Sequence, residues 1–200
     1  MNTKSISTSK LTFIAICGAL NIIGGNLALF LKLPFYLDTL GTFFTAALYG
    51  PVYGMVPGLI SGIFTGITTD IYSFFYLPVQ LITGCLAGFF LSNRTTSILY
   101  QENKRKTKFY HSIIITAFFI TIPGTIVSSC ITAFLFGGIT SSGSSILVQV
   151  FHQAGLSMTA SVFLVQIFTD YGDRILMLFL SLCLLKAIPK STLELLKKKA

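Results

Sequence analysis

Between Lys108 and Asp170 the chain carries no Asp, Glu, Lys or Arg. A domain surrounded by water has no use for so long an uncharged stretch, because its surface must be solvated. The imbalance extends to the whole sequence. Of its 200 residues 53% are hydrophobic and 10% charged, whereas about a quarter charged is usual for a soluble protein. An ordinary cytosolic enzyme, a nucleic-acid-binding domain and a disordered chain are therefore excluded, and the chain reads as an integral membrane protein.

A helix needs about 20 residues to cross a ~30 Å hydrocarbon core, and fewer where the bilayer thins. Six stretches qualify: Leu11–Leu31, Tyr36–Tyr49, Val52–Thr69, Phe74–Ser92, Ser112–Phe136 and Arg174–Ile188. The second and last are short and are expected to start in the preceding loops. The first follows Lys4 and Lys10 in the manner of a secretory signal, but it is too long for one and lacks a small-residue cleavage site. It is expected to be a retained helix. Ile146–Phe168 is apolar yet contains Gln149, His152, Gln153 and Gln166. A seventh span, a re-entrant segment and an interfacial helix are all open to it.

Charge sets the expected topology. Twelve of the 14 basic residues fall in three clusters: Lys4 and Lys10, five residues from Arg94 to Lys108, and five from Lys186 to Lys199. The positive-inside rule places all three in the cytoplasm. Four spans separate the first two clusters, and an even number must follow the second, so six spans fit and seven do not. Asp38, Asp70, Asp170 and Asp173 then fall at the outer face with Lys32 and Arg174, while Glu102 and Glu194 lie inside. The expected fold is an all-α integral membrane protein, a compact six-transmembrane-helix bundle with an extra re-entrant or interfacial helical segment between the fifth and last spans. It forms a single transmembrane domain over residues 1–200, with a short cytoplasmic N-terminus 1–10, a cytoplasmic basic loop 93–111 and a basic cytoplasmic tail 187–200.

Gly50, Gly54, Gly58, Gly62 and Gly66 recur every fourth residue along the third span. They line one face of a helix, and close backbone approach along small residues is a common way for helices to associate in lipid. Tight packing is the expected role, with Pro57 adding a kink. Ala15 and Ala19 make a weaker pair of the same kind on the first span, and Gly84 and Gly88 another on the fourth. Cys17, Cys85, Cys130 and Cys183 lie in apolar stretches without metal-ligand spacing and read as small buried hydrophobes.

No phosphate-binding loop, HExxH or GxSxG motif is present. No catalytic residue, metal ligand or cofactor is nominated, and the chain is not read as an enzyme. Polar residues instead gather at the expected outer face. Asn26, Lys32, Tyr36, Asp38 and Thr39 surround the first loop, and Asp70, Tyr72, Tyr76 and Gln80 the second. His152, Gln153 and Asp170 follow from the last segments, with Tyr171 and Asp173 beside them. Ionisable groups at membrane depth are costly and point to a polar ligand or ion, although helix ends capped by water or headgroups account for each residue taken singly. The tyrosines suit a flat heterocycle, and an interfacial aromatic belt explains them equally.

Leu33-Pro34-Phe35-Tyr36-Leu37-Asp38-Thr39-Leu40-Gly41-Thr42, followed by Ala46-Ala47-Leu48-Tyr49-Gly50-Pro51-Val52-Tyr53-Gly54, resembles the membrane S component of energy-coupling factor (ECF) transporters. The closing Asp173-Arg174-Ile175-Leu176 and Leu185-Lys186-Ala187-Ile188-Pro189 are similar to the end of such proteins, so the resemblance spans the chain. It implies a substrate-capture subunit in a bacterial plasma membrane, multi-pass with both termini cytoplasmic. Such a subunit binds a vitamin-like small molecule at the outer face and delivers it through a T component driven by two ATPase subunits. Carried over by motif, Ala15 and Ala19 would face the T component. Membrane lipid is the other expected partner, and the Lys197–Lys199 tail either touches anionic lipid or fixes topology. Two other classes stay open at this point: a membrane sensor with a cytoplasmic signalling partner, and a stand-alone ion-coupled carrier using Asp38 or Asp70.

Overall fold

The computed structural model describes residues 7–92, 106–189, 191–193 and 196. Every regular element among them is helical: α1 (Thr8–Phe30), α2 (Leu40–Tyr49), α3 (Pro51–Thr68), α4 (Tyr72–Phe75), α5 (Leu77–Leu91), α6 (Lys106–Cys130), a π-helical turn (Ile131–Leu135), α7 (Ser144–Gln153) and α8 (Met158–Ala187). Residues 93–105 of the basic loop, with Glu102, and Lys190, Glu194 and Lys197–Lys199 of the tail lie outside the described residues.

Local chemistry sets the boundaries. The Ser7 hydroxyl accepts from the Lys10 backbone N–H and caps α1, and Ser157 caps α8 in the same way through Ala160. Gly50, with φ of 81°, makes the corner between α2 and α3, a left-handed conformation that glycine adopts without strain. Pro51 then occupies the first turn of α3, where its missing N–H costs nothing.

α1, α3 and the stretch Ile113–Leu135 are long and apolar enough to cross a membrane, and α2 and α5 are shorter apolar helices. α8 has 30 residues, about 45 Å at 1.5 Å per residue, but carries Asp170, Asp173 and Arg174 midway along it. Here the structure departs from the expected bounds. The final helix begins at Met158, further upstream of Arg174 than a start in the loop just before it, and the stretch 146–168 is divided between α7 and the first third of α8. Gly155, with φ of 101°, and the Ser157 cap make that division. The second apolar stretch is likewise shorter as a helix than expected, because residues 33–39 run irregularly into α2.

α2 sits in the middle of the bundle against α1, α3, α5 and α8. Its Phe43, Ala46, Ala47 and Leu48 form the main apolar core with Ala87 and Leu91 of α5, Ile113, Ala117 and Ile120 of α6, and Met177, Leu178, Leu182 and Leu185 of α8. Asn21 of α1 fixes the other end of α2. Its side-chain oxygen accepts from the Gly41 N–H (2.7 Å) and its amide donates to the Thr42 hydroxyl (2.9 Å). The outward faces of α1, α3, α6 and α8 carry exposed Leu, Ile and Phe side chains such as Ile23, Ile67, Phe119 and Phe168, as a helix bundle in lipid requires.

The glycine ridge of α3 is a packing surface, as expected. It faces inward, and at Gly54 its backbone meets that of Gly84 on α5. A methyl group on Gly84 would lie 2.6 Å from the Gly54 carbonyl oxygen and 2.7 Å from the Met55 Cα. Since backbone atoms cannot step aside, Gly84→Ala is predicted to destabilise the chain by about 1–3 kcal/mol. Gly124→Ala is the control, because a methyl there meets only ordinary contacts at 3.7 Å and removes the helix-interior penalty of glycine, about 0.5–1 kcal/mol. Thermal unfolding in detergent should show Gly84→Ala lowered and Gly124→Ala unchanged or raised.

Candidate functional site

One face of α8 carries Gln166, Asp170 and Asp173 at helical spacing, with Arg174 alongside, and all four are buried. Ionisable side chains inside a membrane helix belong on the interior face and need partners. Asp173 is fully buried, and Oδ1 accepts from the backbone N–H groups of Tyr36 (3.1 Å) and Leu37 (2.9 Å). Oδ2 pairs with Arg174 at 2.9 Å, and the same guanidinium nitrogen donates to the Thr39 hydroxyl at 3.0 Å. Leu37 has φ of 54°, strained for a branched side chain, and its N–H is one of those that Asp173 holds. Residues 36–39, far away in sequence, are thereby tied to the middle of α8.

A second network runs from α8 to α6. Thr125 and Ser128 donate to Asp170 Oδ2 at 2.8 and 3.1 Å, and Ser129 donates to the Gln166 side-chain oxygen at 2.6 Å. The Gln166 amide donates to Thr132 Oγ1 at 2.7 Å. Thr132 lies in the π-helical turn and gives its own proton to the Ser128 carbonyl. Its 2.6 Å contact with the Tyr76 hydroxyl must therefore be a bond that Tyr76 donates.

These networks wall a cavity of about 100 Å³. It is bounded by Asn21, Gly25 and Ala28 of α1, the Leu33–Asp38 segment, Ser61 and Thr65 of α3, Asp70 to Tyr76, Val79 and Gln80 of α5, Ser128 of α6, residues 140–142, and Asp170 and Arg174 of α8. On α5 and α6 the cavity residues lie toward the opposite end of the helix from the apolar core residues, and on α8 they precede Met177, the first of its core residues. At the mouth, Ser141 donates to Asp70 Oδ2 (2.8 Å), and Lys32 Nζ reaches the Ser141 carbonyl (3.4 Å). The 140–142 segment thus bridges the end of α1 and the α3–α4 turn. Behind the lining, the Phe136 ring packs edge-on against Tyr72, with centroids 4.7 Å apart, and against Phe75 at 5.1 Å.

Of the residues nominated from sequence, Tyr36, Asp38, Asp70, Tyr72, Tyr76, Gln80 and Asp170 meet in this cavity. Thr39 is buried behind it as a partner of Arg174, and Lys32 stands exposed at the rim. Asn26 bonds the Ile22 carbonyl of its own helix, and His152, exposed on α7, contacts the Leu156 carbonyl. Gln153 is exposed on α7 as well. None of these five lines the cavity. The sequence reading missed Asn21, Ser61, Thr65, Ser128, the 140–142 run and Arg174 as lining residues. Hydroxyl residues are too common in apolar helices to stand out. A Ser61/Thr65 pair four apart was the available signal.

A helical bundle with apolar outward faces and a cavity whose wall carries buried polar and charged side chains is suited to holding a small solute within a membrane. The chain matches the family described as "ECF transporter, substrate-specific component" over residues 9–193 and belongs to it. It is therefore a substrate-binding subunit of an ECF transporter, in keeping with its resemblance at residues 33–54. No match was found among curated proteins or among solved structures.

Removing one member of a buried ion pair leaves the other without a partner, at a cost of about 3–5 kcal/mol. Asp173→Ala is predicted to destabilise the chain by that much, since two backbone N–H groups are orphaned and Arg174 loses its ion pair while keeping the Thr39 hydroxyl. Thr39→Val, which removes a single bond, is expected to cost about 1 kcal/mol. Thermal unfolding of the two variants checks the ranking, and equal small losses would contradict the clamp.

Proposed function

We propose that the chain captures a vitamin-like small molecule from outside the cell in the cavity between α1, α3, α5, α6 and α8. A T component driven by two ATPase subunits then moves it inward. The observation that carries this reading is the cavity itself, where Tyr36, Asp38, Tyr76, Gln80 and Asp170 converge from three separate segments of the chain. Six spans in a single domain, with both termini in the cytoplasm of a bacterial cell, put the cavity in the outer half of the membrane. The lysine clusters support that orientation. In this arrangement α7 and the preceding 140–142 segment cover the mouth without crossing the bilayer, and the Ser141 bond to Asp70 supports that role.

Ala15 and Ala19 are the proposed contact with the T component. Both are exposed, on a stripe of α1 that also exposes Leu11, Ile16, Ile23 and Leu27. Small residues on such a stripe let another helix approach its backbone closely.

Two measurements test these roles. Native mass spectrometry of the gently purified chain from rich medium should show a discrete adduct, because a nanomolar ligand, at about −12 kcal/mol, survives mild purification. Ser61→Leu, which fills the cavity, should abolish the adduct, and a folded variant that keeps it would place the ligand elsewhere. Ala15→Trp and Ala19→Trp should retain the adduct but weaken co-purification with the T component by about tenfold or more, equivalent to ~1.4 kcal/mol.

A further inference from the structure

We infer that the cavity selects a small organic cation, a protonated amine carried on a single planar ring. This rests on the proposed reading of the cavity as the substrate site and adds the chemical class of its occupant.

The first ground is which polar atoms lack partners. Asp38 Oδ1, Gln80 Oε1 and Asp170 Oδ1 are buried in residues of the cavity wall with no hydrogen-bond partner. All three are acceptors, and no unpartnered buried donor occurs among the described lining residues. Asp170 and Gln80 are more than nine-tenths buried, so bulk water does not relieve them. Leaving a buried acceptor unsatisfied is costly, and a buried carboxylate oxygen most of all. A molecule bearing several N–H donors supplies what is missing.

The second ground is charge. Asp38, Asp70 and Asp170 line the cavity with Asp173 directly behind, against a single cation in the described lining, Arg174. The Arg174 nitrogen NH1 is committed to Asp173 and Thr39. An anionic molecule would enter a site where carboxylates outnumber the guanidinium. Asp38 Oδ2 accepts from the Gln80 amide and Asp170 Oδ2 from Thr125 and Ser128, so a cation would complete two half-satisfied carboxylates.

Shape and lining decide between a metal ion and an organic cation. Among the described residues, no group of three or more His, Cys, Asp or Glu side chains is placed to hold a metal. The cavity instead presents Tyr36, Tyr72 and Tyr76, whose ring faces attract organic cations and stack on planar groups. Its volume of about 100 Å³ is below the ~150 Å³ of an engineered cavity that takes benzene, which limits the occupant to a single small ring.

The test uses the full chain in detergent and three probes of matched size: benzylamine, benzyl alcohol and benzoate at equal concentration and ionic strength. Benzylamine is expected to raise the melting temperature while the neutral and anionic probes do not. Asp170→Asn and Asp38→Asn should each weaken benzylamine by about tenfold or more, the scale of a close buried charge pair. Protection by benzoate or benzyl alcohol equal to that by benzylamine, or by none of the three, overturns the inference. The ranking on the wild-type chain holds even if a variant fails to fold. The mass of the native adduct separates the two claims. A neutral or anionic adduct that is lost in Ser61→Leu leaves the cavity standing and removes the amine, whereas an adduct that survives Ser61→Leu removes the cavity.

Discussion

The Asp173 carboxylate is the interaction on which the cavity depends. It has no exposure, yet it takes up two backbone N–H groups of a strained loop and neutralises the guanidinium one residue along. A buried ion pair adds little net stability over apolar packing, but its geometry is demanding once the charges are out of water. The demand here brings the 36–39 segment onto α8 and sets Tyr36 and Asp38 opposite Gln80 and Asp170. Without it, residues that follow α1 would have no reason to face the centre of the final helix.

Packing on the other side of the cavity is governed by backbone approach. α2 is only 10 residues long and is surrounded by helices, so its neighbours must come close to leave no void. The glycines of α3 and Gly84 of α5 allow that contact. The result is a molecule in two halves. One is a dry core of Phe43, Leu91, Ile120 and Leu182. The other is a polar half in which the Thr125 and Ser128 hydroxyls of α6 hold Asp170.

Much of this was legible from residue pattern. The apolar stretches, the inward glycine ridge and the convergence of Tyr36, Asp38, Tyr76, Gln80 and Asp170 follow from hydropathy and helical spacing. The course of 146–168 did not, because a single Gly155 and a Ser157 cap divide an apolar run whose composition hardly changes. How far upstream of Arg174 the last helix starts is hidden for a related reason. Asp170, Asp173 and Arg174 look like a span boundary by charge, whereas in three dimensions Asp173 and Arg174 satisfy one another and the first loop, and Asp170 faces the Thr125 and Ser128 hydroxyls inside the bundle. Asn21, Ser61 and Ser128 escaped because a neutral polar residue in an apolar helix reveals its role only through its partner. His152 and Gln153 were nominated by chemistry alone and sit on the exposed side of α7.

The central claim is that the polar half of the bundle is the place where cargo sits. A density map of the wild-type chain, carrying whatever small molecule it retains from the cell, tests this most directly. Density enclosed by Tyr36, Gln80 and Asp170, beneath the bridge from Ser141 to Asp70, is the predicted result. A retained molecule lodged elsewhere on the bundle, with that cavity empty, would contradict it.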